Sequence, residues 1–368
     1  MMRIQSTYIY IVLLSLALLT GCRQKKQDEK PAESVNEEQL MRDFIQQMEN
    51  AVAQGLPDYI NDAIDTNVLK AKAAEVSDAV EMGMGPKIFE GNCSYGDMFV
   101  EIVKNGGDVR FDTCYVQEGI HHLVARTYDA YGNLQFHDFQ ILFKKNKPMI
   151  TDAFLYDFSS MLSQKIGHEA SLNAFLNLPE PKEPAITMKS LMDAFDEGNY
   201  KQMLSLLREK KELLSSYPVY NKFFTIALFE SSEDFVGEME KFQAEGADPR
   251  FVLLQELNYY TAKGIPQGAF QAINQLIDYT GDDPVYWLMY ARTLAEAGQY
   301  QDALDAYNTA KQGFQNYIWD IWTGELSCYY HLNEKERFNS CLNAGKELYG
   351  MQDSELKSLV QNHYPKFK

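Results

Sequence analysis

Trp287-Leu288-Met289-Tyr290-Ala291-Arg292-Thr293-Leu294-Ala295-Glu296-Ala297-Gly298-Gln299-Tyr300-Gln301-Asp302-Ala303-Leu304-Asp305-Ala306-Tyr307 is the stretch that decides how the C-terminal half is built. Apolar residues recur three and four apart on both sides of Ala297-Gly298, the spacing of two amphipathic helices joined by a turn. Gly298 permits the tight turn. Small side chains at Ala291 and Ala303 let the two helices approach closely, and larger residues on the other rows fill the gap to a neighbour.

The pattern repeats outward. At a shift of 34, Trp287, Leu294, Gly298, Ala303, Tyr307 and Ala310 match Leu253, Tyr260, Gly264, Ala269, Ile273 and Leu276. At a shift of 35 in the other direction they match Trp322, Tyr329, Asn333, Phe338, Leu342 and Gly345. Phe235, Met239 and Phe242 occupy the same slots upstream, and Ala194-Phe195-Asp196-Glu197-Gly198-Asn199-Tyr200 echoes Leu294 to Tyr300. About five hairpins fit between residues 186 and 363.

This series resembles the tetratricopeptide repeat, with Trp287-x2-Tyr290-Ala291-x2-Leu294 and Gly298-x-Tyr300-x2-Ala303-x3-Tyr307 as its best copy. A generic helical bundle is the other reading. Phe235, Met203 and Phe338 depart from the family by being large where a small residue is usual. The resemblance implies an α-solenoid over 187–368 that binds peptides or partner helices in a groove. The groove positions carry over as Phe251, Leu254 and Asn258, then Val285, Leu288 and Arg292, then Asp320, Thr323 and Ser327. The family's carboxylate clamp is not matched, because Leu254 and Asp320 stand where lysines are expected. The resemblance thus implies an apolar ligand with a basic group near Asp320; the plainer alternative is that these side chains pack inside the superhelix or against the N-terminal half.

Residues 178–186, Leu-Pro-Glu-Pro-Lys-Glu-Pro-Ala-Ile, read as a Pro-rich linker, since each Pro removes a donor and biases its predecessor away from helix. Before it, residues 38–177 form a mixed body. Apolar spacing predicts helices over 38–53, 58–73 and 94–104. Alternation and β-branched or aromatic content predict strands beginning at Val109 and over 119–128, 134–144 and 148–157. Asp129 to Asn133 and Lys145 to Pro148 supply turns. Helices followed by an antiparallel meander resemble the cone-shaped fold of the nuclear-transport-factor-2-like superfamily. Tyr131 to Phe139 and Ile150 to Tyr156 carry that likeness. The whole reads as an α+β cone-like domain followed by an all-α, tetratricopeptide-like hairpin solenoid.

In the predicted sheet, His121 and His122 point to opposite faces and cannot share a metal without a bulge. His122, Arg126 and His137, near Asp112 and Asp138, converge if their strands pair suitably. They would then bind a small anion or do acid–base work in a cone pocket. Polar residues on a half-exposed sheet are the plainer alternative. No nucleophilic triad, phosphate loop, metal spacing or cofactor motif is readable.

Residues 1–21 read as an export signal: Arg3, then an apolar run from Tyr8 to Leu19, too short to span a bilayer reliably. Leu19-Thr20-Gly21-Cys22 resembles the lipobox of bacterial lipoproteins, which implies cleavage before Cys22 and acylation of its thiol. Residues 22–37 then form a polar tether. Outer-membrane placement follows, facing either the periplasm or the cell surface. An oxidising envelope would permit Cys93–Cys114 and Cys328–Cys341 bridges; buried thiols are the other reading.

The 368 residues carry a formal net charge of −18, with 34 Lys plus Arg against 52 Asp plus Glu. Such a chain disfavours nucleic-acid phosphates and anionic lipid heads. The expectation is a non-enzymatic, membrane-tethered interaction or assembly module whose partners are other envelope proteins or peptides. Small-molecule binding or acid–base chemistry in the cone is the alternative.

Overall fold

A computed structural model describes residues 33–83, 94–231, 234–314 and 318–367. The expected signal segment, Cys22, most of the tether and Cys93 lie outside the described residues. The chain divides into a unit ending at Asp43 and a unit from Phe44 to Lys368. The described part of the first unit is the polar opening of α1 (Glu33–Gln54), where Gln39 donates to Asp43 at 2.7 Å. The second unit holds the sheet and every later helix.

Two short helices, α2 (Pro57–Asp62) and α3 (Thr66–Glu75), stand where one helix over 58–73 was expected. Asp65 makes the break. Its carboxylate caps α3 by accepting from the Val68 amide at 3.3 Å, and its own amide donates to Ile150 in the sheet at 2.7 Å. Both bonds need non-helical backbone at that residue. α4 (Asp78–Glu81) and α5 (Tyr95–Lys104) follow.

The sheet is an antiparallel meander in the order β1 (Asp108–Gln117), β2 (Ile120–Tyr128), β3 (Leu134–Lys144), β4 (Lys147–Leu155) and β5 (Ser160–Met161). Lys145 and Asn146 join β3 to β4 with φ of 52° and 63°. A two-residue turn left-handed at both positions matches the twist of the strands. The register sets the chemistry: Val124 pairs with Asp138, and Ala125 with His137. Paired residues share a face, so the sheet has an even face bearing His122, Arg126 and Asp138 and an odd face bearing His137 and Phe139.

α6 (Leu162–Leu176) leads to α7 (Glu183–Asp196), which starts inside the expected 178–186 linker. Pro184 lies in its first turn, where a missing N–H costs no helical bond. The irregular link is therefore shorter than its prolines suggest.

Five helix pairs follow among the described residues. They are α7 with α8 (Tyr200–Glu209), the single turn α9 (Lys211–Leu214), α10 (Pro218–Ser231) with α11 (Phe235–Ala244), α12 (Pro249–Lys263) with α13 (Pro266–Thr280), α14 (Pro284–Glu296) with α15 (Tyr300–Gly313), and α16 (Trp319–His331) with α17 (Lys335–Tyr349). Pro249, Pro284 and Trp319 open successive first helices at a step of 35 residues. Gly264, Gly298 and Asn333 hold the equivalent turn at φ of 61°, 76° and 62°. Asn is the non-glycine residue that tolerates this conformation best, which is why the third copy keeps the turn without a glycine.

The oversized repeat residues are absorbed in the core. Met203, Phe235 and Phe338 are all buried. Phe338 packs on the rings of Tyr364 and Phe367, at 5.1 and 5.0 Å, beyond α18 (Asp353–His363). A Cβ on Gly345 would lie 2.1 Å from the Trp322 ring. That close approach lets Trp322 bury completely and donate Nε1–H to the Cys341 carbonyl at 2.9 Å. Cys328 is a free buried thiol, pushed up to about 12 by burial and by the Glu325 charge. Cys341 donates its own thiol to Glu325 at 3.9 Å, so the Cys328–Cys341 bridge does not form. Cys114 is exposed on β1.

Candidate functional site

The even face of the sheet packs on the N-terminal ends of the first helices. One hydrophobic core joins Val124, Tyr128, Leu134, Phe136 and Tyr156 of the sheet half to Leu254, Leu257, Val285, Tyr286 and Leu288 of α12 and α14. The Phe136 and Tyr286 rings lie 6.1 Å apart, nearly parallel.

Three polar clusters are set into this core. Arg126 is 2% exposed, with Nη1 2.7 Å from Asp108 and Nε donating to Asp283 at 3.0 Å. Asp283 also caps α14, accepting from the Val285 amide at 2.7 Å. Its negative charge thus meets both a helix N-terminus and a guanidinium. Burial opposes the charge on Arg126, but Asp283 and Asp108 outweigh it and raise its pKa.

The second cluster centres on Asp138, which is 1% exposed. It accepts from Tyr115 at 2.5 Å, pairs with His122 Nδ1 at 2.9 Å and accepts from Arg250 Nη1 at 2.9 Å. Arg250 also grips Asp248, the cap of α12, through Nε at 3.0 Å and Nη2 at 2.9 Å, and its guanidinium sits 3.9 Å over the Phe154 ring. In the third, Tyr128 donates to Asp320 and accepts from Arg292 at 3.0 Å. Burial raises the Tyr128 hydroxyl's pKa, keeping it the donor.

These contacts correct the open groove. Phe251, Leu254, Val285 and Leu288 are wholly buried. Arg292 and Asp320 hold Tyr128 of the chain's own sheet. Asn258, Thr323 and Ser327 remain half-buried. An apolar surface with a carboxylate at Asp320 was legible; its occupant here is an internal strand.

The trio His122, Arg126 and His137 is corrected as well. His122 and Arg126 share the even face, but His137 pairs with Ala125 and lies on the odd face. There it lines a cavity of about 310 Å³ with Ser94, Tyr95, Met98, Gln135, Leu155, Asp157, Phe158, Leu162, Lys165 and Lys222. His137 Nδ1 faces the Tyr95 hydroxyl at 3.3 Å, while Nε2 is buried without a partner among the described residues. Burial pulls its pKa down to about 4 against a small opposing effect of Asp157, so the ring is neutral.

The sequence reading passed over Asp108, Asp248, Asp283, Arg250, Lys165 and Lys222. One signal was present. Asp248-Pro249 and Asp283-Pro284 repeat 35 residues apart, the signature of a capped helix start. No family model, curated protein or solved structure matches the chain.

Proposed function

We propose that the protein is a lipid-anchored envelope protein that docks another envelope protein on the solvent side of its helical hairpins. The carrying observation is an exposed ring cluster. Phe270 on α13 and Trp287 on α14 are 43% and 38% exposed. Both contact Tyr290, with ring centroids 5.8 and 6.5 Å away. Contiguous exposed aromatics, Trp and Tyr above all, are the side chains that anchor protein interfaces. Residues 184–368 hold 26 acidic against 17 basic residues, so a segment carrying apolar and basic side chains is the complementary occupant.

Other features support the rest of the reading. The lipobox-like Leu19 to Cys22 supports the anchor. The 35-residue step and the turns at Gly264, Gly298 and Asn333 support a tetratricopeptide-like array. Helices followed by a five-stranded meander support a nuclear-transport-factor-2-like first half. The reading is not an enzymatic one, and it implies no cofactor.

A photo-crosslinker at Phe270 in the full-length chain tests the docking face. The expected result is a defined envelope-protein adduct that Trp287→Ala weakens at least tenfold. Equal adduct yield from the variant overturns the assignment. Cys22→Ser is expected to release the chain from the membrane fraction; retention there defeats the anchor.

A further inference from the structure

We infer that the cavity beside His122, on the even face of the sheet, is a binding site for a primary ammonium group on a short apolar stem. The cavity measures about 190 Å³ and lies at the end of the sheet where β1 turns into β2, with Arg250 of α12 completing its wall. That volume is below the usual range for drug-sized ligands, so a group of a few heavy atoms is what fits.

His122 supplies the deciding atom. The residue is 9% exposed, and its Nδ1 lies 2.9 Å from Asp138 Oδ1. Asp138 also accepts from Tyr115 and from Arg250, so it is a carboxylate and the proton it shares with Nδ1 belongs to the ring. In the neutral ring Nε2 then carries a bare lone pair. That atom has no hydrogen bond among the described residues, and unlike His137 Nε2 it is not sealed off from its cavity. An acceptor in a cavity wall, oriented by a carboxylate behind it, calls for a donor in the cavity.

The charges select a cation. Glu118 is exposed at the first position of the β1–β2 turn, with φ of 52°, and has no ion pair among the described residues. Arg250 is spent: each of its three side-chain nitrogens already donates to a carboxylate of Asp138 or Asp248. The charged groups lining the cavity are therefore two carboxylates, of Glu118 and Asp138, and one neutralised guanidinium. Such a wall concentrates cations and repels anions. Ile120, Phe154 and Met161 form its apolar part, along which a short alkyl stem can lie. A free alkylamine and a lysine side chain share this chemistry.

The test titrates the full chain with n-butylammonium and, for the peptide-borne group, with Nα-acetyl-lysine methylamide. Butyrate and n-butyltrimethylammonium serve as controls. Calorimetry measures affinity, and nitrogen NMR follows the His122 ring. One saturable site per chain is expected, the tighter of the two ammonium probes naming the source, and the Nε2 signal should shift on saturation. The trimethyl control keeps the charge but has no N–H, and should bind at least tenfold more weakly, as loss of one charge-assisted hydrogen bond predicts. Butyrate should not bind. Glu118→Gln is expected to weaken the ammonium probes about threefold, the scale of an exposed ion pair. His122→Phe keeps a ring to stack on Tyr115, 4.7 Å away in the native chain, and should weaken them at least tenfold. Absence of saturable ammonium binding, an unmoved Nε2 signal, or equal binding of the trimethyl control overturns the inference. The last two readouts use the wild-type chain, so they decide the matter even where His122→Phe fails to fold.

Discussion

The two faces of one sheet have been closed in opposite ways. The even face meets α12, α14 and α16 with charge on both sides, and each buried charge there finds a counter-charge: Arg126 with Asp108 and Asp283, Asp138 with Arg250. The odd face meets α5 with rings. Tyr95, Phe99 and Phe139 surround His137 at centroid distances of 5.3, 6.2 and 6.3 Å. Its buried imidazole is neutral and half-satisfied. Paired charges pin one face against its helices, and the other is packed by rings around a neutral imidazole.

Removing a pinning charge should produce the largest effect. Arg126→Met leaves Asp108 and Asp283 buried without their counter-ion, and a loss of about 3–5 kcal/mol is expected in urea unfolding. A loss below about 1 kcal/mol would mean the even face is held by its apolar contacts alone.

The odd face should show itself through pH. His137 has a folded pKa of about 4, below its ordinary value of 6.5. The unfolded chain then binds the extra proton, so this contribution is complete above pH 6.5 and is lost as pH falls towards 4. About 3 kcal/mol is expected across that window, as a difference between wild type and His137→Phe in parallel melts. Coincident pH profiles would show that His137 is solvated.

Tyr128→Phe removes one hydroxyl but leaves Arg292 and Asp320 facing each other at 3.6 Å with access to solvent. A cost of about 1 kcal/mol is expected from chemical denaturation. Trp287→Ala lies on neither face and is 38% exposed in the native chain. It should cost about 1–2 kcal/mol, because most of the ring is covered, while abolishing most of the partner adduct. A large stability loss there would reassign Trp287 to the core.

Local structure was readable wherever one residue type met one local demand. The hairpin period, the Gly264, Gly298 and Asn333 turns and the boundaries of β3 follow from spacing and backbone preference. Asp65 was not readable as a helix break, because its role depends on a bond to Ile150 far along the chain. Pro184 misled in the same way: a proline marks a linker or a first helical turn, and only packing distinguishes them.

The candidate site was half legible. The residue types were in view, since His122, Arg126 and His137 all belong to it or to its neighbour. Their grouping was not. Strand residues alternate faces, so the parity of the β2–β3 register alone placed His137 behind the sheet and Arg126 in front. The sequence by itself determined a meander and a row of helical hairpins, because these follow from periodicities of two, three to four and about thirty-five residues. Tertiary structure decided what the hairpins hold. An apolar inner surface carrying Arg292 and Asp320 has no intrinsic preference for a foreign peptide over the chain's own strands. The strands are tethered to it covalently and so meet it at high effective concentration.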